Sequence, residues 1–256
     1  MEQCVWKQAA WAEWAQGRGI AAASALYDLF KAFEKIVFAY LVAAAGRTGF
    51  PLRQLRLLIA TYMAPRIIDV DGVVAAPIST RQGVLPGCTF ATTMLKIMLI
   101  GPCDALRAAV PTLSLTVVVD DFAIQRVGTA PAVQADIIRG GLALEQLLAD
   151  VKLQIAPAKT VVLANDAQVA TAIRRQLRVR QHTHTTRNLG AVIASGRRVM
   201  HNVRAARLTQ LRLRLPRFKA LKALKRRAAR LAQSGVATAA TYGAAVTGVQ
   251  DTHLRT

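Results

Sequence analysis

The 256-residue chain carries 34 Lys and Arg against 14 Asp and Glu, a formal charge of +20, yet 53% of it is hydrophobic. That composition excludes a disordered basic tail and allows one large core or two modest ones. A surplus this one-sided repels itself unless a polyanion neutralises it, so nucleic acid is the first partner to consider and an anionic membrane surface the second. No apolar run approaches the ~18 residues a membrane span needs, because Lys31, Glu34 and Lys35 interrupt the best candidate. Glu2, Lys7 and Glu13 likewise spoil residues 1–14 as a secretory signal. Cys4, Cys88 and Cys103 are an odd, scattered trio, which fits an intracellular, reducing compartment and neither a disulfide scaffold nor a zinc knuckle.

In chain order, residues 1–19 read as a leader or as the remnant of a preceding region. Ala21 to Leu29 is an apolar run that suits a buried strand ending at Asp28. Phe33 to Ala45 and Leu52 to Met63 have helical spacing, separated by Gly46, Gly49 and Pro51. Arg66 to Val70 and Val73 to Ile78 flank Asp71-Gly72, the dipeptide favoured by two-residue hairpin turns. Thr89 to Val110 reads as a helix stopped by Pro111, and Leu113 to Val119 and Phe122 to Val127 as strands around Asp120-Asp121. A helix over Ala132 to Asp150 follows, then short strands at Leu153 to Ile155, Thr160 to Leu163 and Leu189 to Ile193, then helices. Mixed elements in this order predict an α+β sheet domain over 20–195 and a basic helical region over 196–256.

The charge is not spread evenly. Between Asp166 and Asp251 there is no acidic residue, yet that stretch holds 18 of the 34 basic ones. From Arg204 to Arg230 they interleave with Leu208, Leu211, Leu213, Leu215, Leu221, Leu224 and Leu231, the spacing of helices with one apolar and one cationic face, broken at Pro216. A solvated face usually mixes signs, so the absence of acid points to a phosphate-tracking surface. Arg204, Arg212, Arg214, Lys219, Lys222 and Arg226 are its candidate contacts. A membrane-binding amphipathic helix fits less well, because few bulky aromatics line the apolar side. The run from Lys219 to Arg227 also suits a nuclear address.

The scarce acids are informative by position. Asp28 ends an apolar strand, and Asp120 and Asp121 sit between two others in LTVVVDDFAI. Hard cations such as Mg²⁺ take carboxylate oxygens together with water and substrate phosphates, and two ions ~3.5–4 Å apart can clamp both oxygens of a phosphoryl transfer. Singly, Asp28 equally suits a helix N-cap for Phe30 to Ile36, and Asp120-Asp121 a plain hairpin turn. His182, Thr183 and His184 lack a nearby third ligand and are not a metal cluster.

Five segments, in order, resemble the palm motifs of reverse transcriptases, most closely those of non-LTR retroelements and group II introns. They are YDLFKAFEKIV (Tyr27 to Val37), RQGVLPGC (Arg81 to Cys88), VVVDDF (Val117 to Phe122), APAKT (Ala156 to Thr160) and NLG (Asn188 to Gly190). The resemblance implies a polymerase palm, an antiparallel sheet with flanking helices, followed by a thumb-like helical segment, with the fingers mostly absent. It implies an RNA-directed DNA polymerase, or a fragment of one, that takes an RNA template, a DNA primer or RNA–DNA hybrid, and a dNTP, with two Mg²⁺ (or Mn²⁺) and no membrane. Asp28 and Asp120 match the principal metal-binding aspartates and Asp121 the supporting one. Phe33 matches the aromatic gate against a 2′-hydroxyl, Gln82 and Gly83 the segment beside the incoming nucleotide, and Lys159 the basic residue at the leaving pyrophosphate. Leu189-Gly190 matches the primer-grip turn. The sequence departs from the family at Val118-Val119, where an aromatic precedes the Asp pair, at Gly87-Cys88 in place of Ser-Pro, and at Ala156 in place of Asn. The alternative is a catalytically silent, nucleic-acid-binding remnant of such an enzyme.

Overall fold

The computed structural model describes residues 2–179, 181–182, 185–189, 191–195, 202–224, 230, 234–235, 238–242 and 244. The fold is α+β. Strand β1 (Ala21–Asp28) is the middle of a five-stranded sheet in the order β4-β5-β1-β6-β7, with β4 Ser114–Val118, β5 Asp121–Gly128, β6 Val161–Ala164 and β7 Gln181–His182. Pairing is antiparallel throughout except between β6 and β7.

The strand period of two divides the sheet's side chains between two unequal layers. Ala23, Ala25 and Tyr27 of β1, Phe122 and Ile124 of β5 and Val162 and Ala164 of β6 join the large core beneath helices α4 (Ala91–Ala109), α5 (Ala130–Asp150) and α6 (Ala167–Leu177). The alanine-rich strand lets α5 lie close: a Cβ at Gly141 would meet the Tyr27 hydroxyl at 2.5 Å, and one at Gly140 would meet Leu113 at 2.2 Å. Helices α2 (Phe38–Thr48) and α3 (Leu52–Met63) extend this core through Leu41, Ala45, Leu55 and Tyr62. On the opposite face a small cluster joins Leu26, Ala123 and Leu163 to Val5 of helix α1 (Glu2–Arg18) and to Ala191 and Ile193 of β9 (Ala191–Ala194). Strand β9 pairs with β8 (Thr185–Asn188) as a separate hairpin. Among the described residues no helix is long and apolar enough to cross a membrane.

Several element boundaries differ from expectation, each for a non-local reason. Helix α2 starts at Phe38 rather than Phe33 because the carbonyls of Phe33 and Ile36 accept the N–H groups of Val84 (2.9 Å) and Gly83 (2.7 Å). Asp28 therefore caps no helix over Phe30 to Ile36. Residues Leu153 to Ile155 form a single bridge, Leu29 to Ile155, and not a strand. The Asp71-Gly72 turn is present with both residues left-handed (φ 52° and 83°), but β2 (Asp69–Val70) and β3 (Val73–Val74) are only two residues each. Leu189 stands in a turn at φ 47°, outside the strand expected for it. Helix α7 (Asn202–Leu224) runs through Pro216 instead of breaking there. One proline removes one hydrogen bond, and the surrounding Arg, Leu, Ala and Lys are strong helix formers. The N-terminal residues, read as a leader or the remnant of a preceding region with no element predicted, contain α1, and residues 167–177, for which the sequence predicts no element, form α6 with Asp166 as N-cap.

Candidate active site

Asp28 and Asp121 are partners in the β1–β5 register. The N–H of Leu29 donates to the carbonyl of Asp120 at 3.3 Å, so the 28–121 pair is of the non-hydrogen-bonded kind. In such a pair the Cα atoms lie ~4.5 Å apart and both side chains leave the same face of the sheet. That face is the thinly covered one, two residues beyond Leu26 and two before Ala123. Asp120 occupies the two-residue turn between β4 and β5 beside Val119, which sits at φ 60°. A β-branched residue there is strained by roughly 1–3 kcal/mol. Like charges placed opposite each other repel. Burial, and then the charges of Asp120 and Asp28, hold the Asp121 carboxyl above the usual carboxylate range, with Lys159 pulling the other way.

Lys159 reaches the group from the turn before β6. The N–H of Ala156 donates to the Asp28 carbonyl at 2.7 Å, and the Ala156 carbonyl accepts the Lys159 N–H at 3.0 Å and the Thr160 hydroxyl at 3.2 Å. The turn is thereby pinned to the end of β1, and the Lys159 ammonium forms an ion pair with Asp28. Hydrogen bonding to Asp28 and the charge of that carboxylate raise the Lys159 pKa, with Asp120 and Asp121 adding to it.

The Gln82-Gly83 segment docks on the loop that carries Phe33 through the two backbone bonds already described. Gly83 is at φ 89°, and a Cβ there would fall 2.9 Å from the carbonyl oxygen of Glu34, so only glycine permits this approach. Phe33 is half-buried against the large core, in a turn and not on a helix, and Gln82 is exposed. Cys88 accepts the Tyr62 hydroxyl at 3.3 Å; this bond and the N–H groups of Phe90 and Ala91 lower its thiol pKa.

Leu189, in the β8–β9 turn, packs on the cluster of Leu26, Ala123 and Leu163, the same face that carries the carboxylates. Its carbonyl accepts the hydroxyl of Tyr242 at 2.6 Å, and the Tyr242 carbonyl accepts Arg207 of α7 at 3.2 Å. These links join the turn to the basic helix through residues that no sequence signal marked. On α7 the side chains of Arg212, Arg214 and Lys219 are exposed, and Arg204 and Lys222 lie on the same helix. Gly190, Arg226, Thr183 and His184 lie outside the described residues. The structure thus gathers Asp28, Asp120, Asp121 and Lys159 at one sheet end and Phe33 with Gln82-Gly83 at the loop leading from it.

An all-oxygen, anionic donor set on one face suits a hard divalent cation. Among the described residues, however, no three acidic, His or Cys side chains already converge as a metal-holding group. Asp28 is instead turned to Lys159, and cation entry there means exchanging that ammonium for the ion. No protein-family profile matches the chain, and no curated protein matches it.

Proposed function

We propose that the chain is an RNA-directed DNA polymerase of a retroelement, or its palm and thumb portion, which extends a primer 3′-end with dNTPs. The observation that carries this reading is the same-face opposition of Asp28 and Asp121 with Asp120 in the adjoining turn. In this reading Asp28 and Asp120 would hold two Mg²⁺, or Mn²⁺, with Asp121 in support. The ions would supply activation of the 3′-hydroxyl and neutralisation of the triphosphate. The chain's own residues orient the reactants. Lys159, released from Asp28, places its ammonium beside the departing pyrophosphate, and Phe33 forms the wall against the sugar. Gly83 lets the backbone of its segment come close to that wall. Leu189 and the turn it belongs to hold the primer strand, and the cations of α7 track duplex phosphates.

The Lys159–Asp28 ion pair favours a second reading, a silent nucleic-acid-binding remnant in which lysine takes the place of the ion. RNA-templated extension of a DNA primer separates the two. The polymerase incorporates dNTPs in a Mg²⁺-dependent manner and discriminates against rNTPs, and Phe33→Ala weakens that discrimination. No incorporation with Mg²⁺ or Mn²⁺, together with salt-dependent hybrid binding unchanged by Asp28→Ala, establishes the remnant.

A further inference from the structure

All three tryptophans of the chain lie on helix α1. At 3.6 residues per turn, Trp6, Trp11 and Trp14 fall within an arc of ~140°, with Trp6 and Trp14 turned away from the side that buries Val5, Gln8 and Ala15 against the sheet and Trp11 at the edge of that side. They are 57%, 38% and 52% exposed, although tryptophan ordinarily hides most of its surface. The two cations of this helix sit on the same side: Lys7 lies 5.9 Å from the Trp11 ring centre and Arg18 5.2 Å from that of Trp14. No aliphatic Leu, Ile or Met accompanies the rings, and Glu13 flanks them.

We infer that the outer face of α1 is a stacking platform for a single-stranded nucleic acid. Exposed rings beside cations offer what an unpaired strand needs: flat apolar surfaces for its bases and positive charge for its phosphates. The chain's +20 charge draws a polyanion to it. A duplex keeps its bases stacked on each other and has none to offer. A membrane-surface helix would carry a continuous aliphatic stripe beside its tryptophans, which α1 lacks. Trp6 and Trp14 are ~12 Å apart along the axis, so the platform spans several nucleotides. Helix α1 covers the face of the sheet from which the carboxylates project, with Val5 against Leu26 two residues before Asp28. The strand on α1 is therefore an unpaired stretch of nucleic acid held on the catalytic side of the sheet. The inference rests on the nucleic-acid part of the proposed function and not on catalysis.

Because no tryptophan lies elsewhere, the intrinsic emission of the full chain reports on this face alone. Titration with single-stranded oligothymidylate quenches it, and added salt weakens the effect. The matching duplex and vesicles of phosphatidylserine and phosphatidylcholine quench far less. Anisotropy of a labelled oligothymidylate then gives roughly tenfold weaker binding for the Trp6→Ala/Trp14→Ala double variant. Trp6→Phe/Trp14→Phe retains most of the affinity. Asp120→Ala, which removes extension, leaves quenching intact, so failure of catalysis and failure of the platform are distinguishable. Quenching by vesicles but not oligonucleotide, or oligonucleotide binding equal in wild type and the alanine variant, overturns the inference.

Discussion

Along β1, Ala23, Ala25 and Tyr27 point into the core beneath α4, α5 and α6, while Ser24, Leu26 and Asp28 point to the face that, among the described residues, α1, the β8–β9 hairpin and Tyr242 cover. The same division runs along β5, where Phe122 and Ile124 oppose Asp121, Ala123 and Gln125; Gln125 donates to Ser24 across the strands at 2.9 Å. One face is apolar and shut. The other tolerates an exchange of side-chain polarity and ends in three carboxylates and a lysine. A two-residue period thus lets one strand supply a packed apolar face and a polar, carboxylate-bearing face without either compromising the other. Like-charge repulsion at Asp28 and Asp121 is affordable because the opposite face anchors both strands.

Substitutions that act on one face and not the other test this division. The largest effect belongs to Phe122→Ala, which empties a core position and lowers unfolding free energy by about 3–5 kcal/mol in urea titrations. Activity per folded molecule stays near wild type; a cost under about 1 kcal/mol would mean the core does not rest on this face. Gly83→Ala comes next, at roughly 1–3 kcal/mol, since it combines a positive φ with a backbone clash. Its signature is a raised KM for dNTP, because the segment beside Phe33 must withdraw. Val119→Gly runs the other way and raises stability by up to about 1 kcal/mol, because glycine relieves the left-handed strain at an exposed turn position. The smallest effect is that of Asp121→Asn on the pH dependence of melting. The fold raises the Asp121 pKa, so its contribution is fully present below the ordinary carboxylate range and is lost as pH rises through the raised value. The asparagine variant lacks that decline and melts above wild type at neutral pH; a lower melting temperature there would show that the carboxylate charge stabilises the fold.

Local pattern made the ends of β1, β4, β5, α4 and α5 legible, because each has a clear period and its own stop signals. The Asp71-Gly72 turn is legible for the same reason, whereas Gly83 is singled out only through the motif resemblance. Residues 33–37 have helical spacing in the sequence, but the bonds that hold them come from residues 83 and 84, far along the chain. Helix α1 is hard to read from the sequence because its buried face carries a single branched aliphatic residue, Val5, beside Gln8 and Ala15. Asp166 ahead of an apolar-periodic run is a readable N-cap for α6. Register is the deepest gap: the sequence places Asp28 and Asp121 at strand ends, but only the β1–β5 pairing sets them opposite each other.

Primer extension per folded molecule by Asp120→Ala, measured beside its melting temperature, tests whether the carboxylate-bearing face carries the proposed chemistry. Extension falls by at least ~10³-fold while melting stays within a few degrees of wild type. Extension that persists, or that falls only in proportion to lost folded protein, would contradict the assignment of chemistry to this face.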